Sequence, residues 1–185
     1  DKVVVARSKA VDVKKDLDVL ELFSNLSNRY TSAFVSLVSS PKTGTWVCAS
    51  PEVLLSVDKD KIFRTIALAG TQSGEGLEDL SEALWRQKEI EEQAFVSRYI
   101  INCFKKIRLR DFSERGPATV RAANLIHLRS DFSVDMKAVN FMELAEVMLE
   151  LLHPTSAVCE MPKELATQFI LEHEGYFRDF YTGYL

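Results

Sequence analysis

Residues 61–93, KIFRTIALAGTQSGEGLEDLSEALWRQKEIEEQ, constrain the fold more than any other stretch of the chain. A β-rich run closes on Ala69-Gly70-Thr71, a loop punctuated by glycines follows, and a long amphipathic helix is predicted beyond it. On that helix Glu89 and Glu92 stand three residues apart, so both carboxylates project from one side. A small-residue turn lets backbone N–H groups approach a ligand. Followed by helix-borne carboxylates, it suits an anionic substrate held beside a divalent cation. Two acids on a helix, taken by themselves, more often belong to a solvated face.

The 185 residues are enough for one domain with a sizeable core. Net charge of −4 excludes bulk binding to nucleic acid or an acidic membrane, so an anionic substrate needs a local cationic pocket or a metal ion. Cys48, Cys103 and Cys159 are far apart without a CxxC spacing. That is neither a zinc pattern nor a disulfide framework, and it fits a reducing cytoplasm. No apolar run approaches the roughly 18 residues of a membrane span. The chain opens directly on strand-like Lys2-Val3-Val4-Val5-Ala6 and stops on Tyr184-Leu185, so both ends read as cut.

Taken in order, residues 3–7 read as a buried strand, 16–30 as a helix with Leu17, Leu20, Phe23 and Leu26 on one face, and 31–39 as a strand. Pro41 and Gly44 mark a turn. Strands over 46–49, 53–57 and 61–68 complete a meander, broken at Ser50-Pro51, which aims Glu52 toward a cleft. A flexible loop over 70–76 leads to one helix over 79–109. An exposed turn over 108–116, a strand over 118–128, a helix within 135–152 and a helix over 163–174 opened by Pro162 follow. Strands mixed with helices in this way predict an α+β domain with helices on the sheet faces.

Seven segments in order carry a resemblance: Lys2-Val3-Val4-Val5-Ala6-Arg7; Ala49-Ser50-Pro51-Glu52; Ala67-Leu68-Ala69-Gly70-Thr71; Lys88-Glu89-Ile90-Glu91-Glu92; His127-Leu128; Leu152-His153-Pro154-Thr155-Ser156-Ala157-Val158-Cys159; and Arg178-Asp179-Phe180-Tyr181-Thr182-Gly183. Together they resemble the chorismate-binding enzymes, the isochorismate synthases above all, from end to end. The resemblance implies antiparallel sheets forming a β-sandwich core with helices outside. It also implies a single domain over 1–185 that is incomplete at both ends.

The same resemblance implies that chorismate is the small-molecule substrate and that the enzyme is a cytoplasmic isomerase of menaquinone or siderophore synthesis. No obligate protein partner is implied. Lys2 becomes the general base that deprotonates an attacking water, and Glu52 the general acid that protonates the departing hydroxyl. Such roles require a neutral amine and a protonated carboxyl, each set by its surroundings. Gly70, Thr71, His127 and Tyr181 become substrate-binding residues. Glu92 becomes a ligand of Mg²⁺, with Glu89 helping through water.

Ala69 stands where aminodeoxychorismate synthases of this family commonly carry a nucleophilic lysine, and Lys2 where anthranilate synthases carry glutamine. Both differences favour water as the nucleophile. Two departures from the family pattern are Glu160 in place of a glycine and Gln93 in place of histidine or asparagine. The family's second metal-binding glutamate, and the arginine and lysine that grip carboxylates, have no counterpart here. Salicylate synthase, a component I of anthranilate or aminodeoxychorismate synthase, and an inactive chorismate-binding domain remain the alternatives.

Overall fold

The computed structural model describes residues 3–13, 16–31, 33–50, 53–122, 125–159, 162–181 and 183–184. Their secondary structure begins with helix α1 (Val19–Arg29), whose first turn is capped by Asp18. The Asp18 carboxylate accepts from the N–H groups of Leu20 and Glu21. Strands β1 (Phe34–Ser40) and β2 (Gly44–Ser50) form an antiparallel hairpin in register from Phe34 opposite Ser50 to Ser40 opposite Gly44.

A second antiparallel sheet contains β3 (Ser56–Val57), β4 (Ile62–Ser73), β6 (Leu125–Asp135) and β5 (Ser113–Ala122), in that spatial order. Along β6 the buried residues are Ile126, Leu128, Ser130, Phe132 and Val134, the strict alternation of a strand with one covered face. In β4 the buried positions run Phe63, Thr65, Ala67 and then skip to Gly70. A register shift between Ala69 and Thr71 accounts for the skip.

Helix α2 (Gln87–Lys106) covers this sheet. Gln93, Ser97, Ile100 and Phe104 recur at helical spacing and are buried against it. At the centre Phe104 meets Phe63, Phe112 and Phe132, with ring centroids at 6.3, 4.9 and 6.2 Å. Helix α3 (Leu144–Leu152) closes the core with Leu144, Met148 and Leu152. Its last carbonyls are not orphaned. The Tyr99 hydroxyl donates to Leu151 O at 2.7 Å, and Lys163 Nζ donates to His153 O at 2.7 Å. Short α4 (Ser156–Cys159) and α5 (Lys163–His173), opened by Pro162 as expected, complete the chain.

The α+β class with antiparallel sheets and covering helices is therefore observed, while several boundaries differ. Residues 3–7 form no strand; Val3, Val4 and Val5 are exposed, and no described strand pairs with them. The expected four-strand meander is two hairpins in separate sheets. The expected strand over 118–128 is instead the end of β5 and the start of β6, and the supposed surface turn over 108–116 already contains the beginning of β5.

Residues 70–76 do not form a free loop, because β4 continues to Ser73. The helix expected over 79–109 is interrupted. Asp79 caps a single 3-10 turn (Leu80–Glu82) by accepting from Ser81 N, and the chain then runs extended to Arg86. Gln72 holds Leu84 O, and Trp85 Nε1 donates to Thr119 Oγ1 at 3.0 Å, so residues 83–86 are engaged elsewhere and do not coil. Among the described residues no helix is long and apolar enough to cross a membrane.

Candidate active site

The bulge in β4 is the local feature from which the site is built. Gly70 has φ +64°, a conformation that a side chain disfavours. An added Cβ would also lie 3.0 Å from Glu89 Cβ and 3.1 Å from Glu89 O. Strand and helix thus touch at this glycine. The bulge turns the next residue, Thr71, to the exposed side and directly opposite His127 in β6. Thr71 Oγ1 and His127 Nδ1 lie 3.1 Å apart, a hydrogen bond across the strand pair. Burial holds the His127 imidazole below its usual pKa, favouring the neutral ring that can either accept from a hydroxyl or donate to one.

The first turn of α2 supplies the carboxylates. Glu89 Oε2 accepts from Arg86 N at 3.1 Å, which satisfies one free donor of the helix start and places negative charge where the helix dipole favours it. Glu92 lies one turn further along and approaches Lys88 Nζ at 3.8 Å, a loose, exposed ion pair. Gln93, the departure noted in the sequence, points the other way into the core. Its Nε2 donates to Ala67 O at 3.2 Å and lies 3.1 Å from Ser130 Oγ. Since Ala67 O needs a donor, the amide orientation follows from its surroundings.

Four of the expected residues, Gly70, Thr71, His127 and Glu89, are brought together at the β4–β6–α2 junction, with Glu92 on the same helix. Tyr181 lies in the C-terminal turn, where its N–H donates to Arg178 O at 2.8 Å and its ring is 54% exposed. Lys2, Glu52 and Glu160 fall outside the described residues.

Among the described residues no three His, Cys, Asp or Glu side chains converge on one point, so a metal such as zinc, which demands three or four protein ligands, does not fit. Glu92, with Glu89 acting through water, could hold only a cation that keeps most of its water.

Other residues at this junction carried no sequence signal. Arg121 of β5 donates through Nη1 to Gly74 O at 2.9 Å and through Nη2 to Leu77 O, pinning the connection between β4 and α2. Trp85 adds its bond to Thr119 on the same strand. An arginine within a strand and a tryptophan before a helix have no spacing that betrays such partners.

The chain matches the family described as Chorismate binding enzyme over residues 1–185. It is 29% identical to isochorismate synthase DhbC of Bacillus subtilis over 98% of this chain and 48% of the relative. It is 30% identical to isochorismate synthase EntC of Escherichia coli over 99% of this chain and 47% of the relative. Among solved structures, the putative 2,3-dihydroxybenzoate-specific isochorismate synthase DhbC from Bacillus anthracis superposes with a TM-score of 0.71 at 26% identity, covering 88% of this chain and 45% of that one. The menaquinone-specific isochorismate synthase MenF from Escherichia coli superposes with a TM-score of 0.61 at 27% identity, covering 72% of this chain and 31% of that one. The chain spans about half the length of the curated relatives it matches. By fold and by the match over residues 1–185, this chain belongs to the chorismate-binding enzyme family.

Proposed function

We propose that this chain is part of an isochorismate synthase, in which water adds to one ring carbon of chorismate and hydroxyl departs from another as the double bonds shift. The observation that carries the proposal is the Gly70 bulge. It exposes Thr71 beside His127, while Gly70 itself touches Glu89 on the helix that also bears Glu92. In this reading Thr71 Oγ1 and His127 orient the substrate by hydrogen bonds, and Tyr181 contacts it from the C-terminal turn. Lys2 takes a proton from the attacking water, and Glu52 gives one to the departing hydroxyl, so the proton count balances and water leaves. Ala69 offers no nucleophile of its own, which supports direct attack by water. Glu92, with Glu89, would hold Mg²⁺, which supplies charge neutralisation for the ring carboxylate when bound. The relatives carry names from both the menaquinone and the 2,3-dihydroxybenzoate routes, and we extend the synthase step to this chain without choosing between them.

The test is product analysis on the full-length protein with chorismate and Mg²⁺. Isochorismate as sole product is expected, with Lys2→Ala and Glu52→Gln each about 10²- to 10⁴-fold slower. Salicylate with pyruvate, or an amine product with an ammonia source, would replace this reading by one of its sister activities. Binding of chorismate without turnover would make the protein a binding domain.

A further inference from the structure

Away from this junction, one polar cluster is both covered and shared by distant parts of the chain. The side chains of Glu174 and Arg178 are only 1% and 16% exposed. Arg178 Nε donates to Glu174 Oε2 at 2.7 Å and Nη2 donates to Oε1, a two-pronged pair of one turn's spacing. The donors and acceptors left over reach outward. Arg178 Nη2 donates to Val4 O at 3.2 Å, Nη1 donates to Val158 O at 3.3 Å, and Glu174 Oε1 accepts from Ala6 N at 2.7 Å. Arg178 O also accepts from Tyr181 N, closing the turn in which Asp179 has φ +48°. One ion pair therefore fastens residues 4–6, the Ala157-Val158-Cys159 segment and the turn that carries Tyr181.

A pair serving stability alone would add to contacts already sufficient to locate these segments. Residues 3–7 lie in no described strand or helix. Val3 to Val5 are exposed, and among the described residues this pair holds the segment by its backbone: Val4 O accepts from Arg178 and Ala6 N donates to Glu174. Lys2 immediately precedes this segment in the chain. We propose that Glu174 and Arg178 are positioning residues for catalysis, acting by clasping residues 4–6 and so setting the backbone that leads to the general base. This rests on the proposed role of Lys2. The planar fork is essential, because only guanidinium serves a carboxylate bidentately while donating to two separate carbonyls.

The experiment is a kinetic cycle on the full-length protein with Lys2→Ala, Arg178→Lys, Glu174→Asp and the double variant Lys2→Ala/Arg178→Lys, with folded fractions normalised by circular dichroism. Arg178→Lys keeps the charge and loses the fork, and kcat is expected to fall up to about 10²-fold while KM moves little. Glu174→Asp, which retracts the carboxylate by one methylene, is expected to fall about 10-fold, and it carries the test should Arg178→Lys not fold. In the Lys2→Ala background Arg178→Lys should cost little more, because a residue acting through another is silent once that other is gone. Wild-type kcat in either folded single variant, or full additivity in the double variant, would overturn the clasp. Wild-type activity of Lys2→Ala would instead remove the general base and leave the loss on changing Arg178 to be read by itself.

Discussion

Gly70 shows how a single position joins two kinds of requirement. Its positive φ costs an ordinary residue about 1–2 kcal/mol, and a methyl group at this position would press on Glu89, 3.0 Å from its Cβ and 3.1 Å from its carbonyl oxygen. Gly70→Ala is therefore expected to destabilise the protein by about 2 kcal/mol, measured by chemical denaturation, and to displace Glu89 and Thr71 together. The histidines give a second expectation. Burial lowers the pKa of both His127 and His153 from the ordinary 6.5, with Lys163 adding to the effect at His153. The unfolded chain then takes up protons before the native one does. Their contribution to stability is present above about pH 6.5 and is lost as pH falls through the folded values. Tm should drop between pH 7 and 5, and His127→Gln should flatten part of that drop in a thermal scan. At this scale short motifs single out Gly70, Thr71, His127 and Glu89, which the fold brings into one neighbourhood. The sequence was silent on Glu174, whose partners at Ala6 and Arg178 straddle the chain and a helix end.

Among the elements, the ones with punctuation were legible. Pro41 and Gly44 marked the β1–β2 turn, and Pro162 marked the start of α5. Those without it were misread. Residues 118–128 are continuous in strand character, so the reversal between β5 and β6 left no trace in periodicity. Leu80 and Leu84 continued the rhythm of α2, yet hydrogen bonds from Gln72 and Trp85 hold the chain extended there. Tertiary contacts overrode a local pattern of marginal strength. The packing of α2 on the sheet builds an aromatic and aliphatic core, and Phe104 lies fully buried within it. Phe104→Ala should cost about 3–5 kcal/mol in denaturant unfolding, because three ring contacts vanish into a cavity.

For the whole molecule, the apolar surface is the salient property. Phe177 is 90% and Leu84 87% exposed, with Phe34, Leu165, Leu171 and Phe180 also outside. Residues 1–185 expressed alone are expected to self-associate in size-exclusion chromatography with light scattering and to give no measurable isochorismate from saturating chorismate and Mg²⁺. A monodisperse, active product would contradict both expectations.

The bond from Ala6 N to Glu174 spans 168 positions of sequence. Closing so long a loop is entropically unrewarded until the intervening sheet and helices have already shortened it, so this contact belongs to the last steps of folding. A substitution at Glu174 should therefore leave the refolding rate nearly unchanged and appear almost wholly as faster unfolding, about tenfold for every 1.4 kcal/mol lost. In stopped-flow experiments only the unfolding arm of the chevron would move, which makes the junction of the two distant segments a determinant of how long the native state lasts.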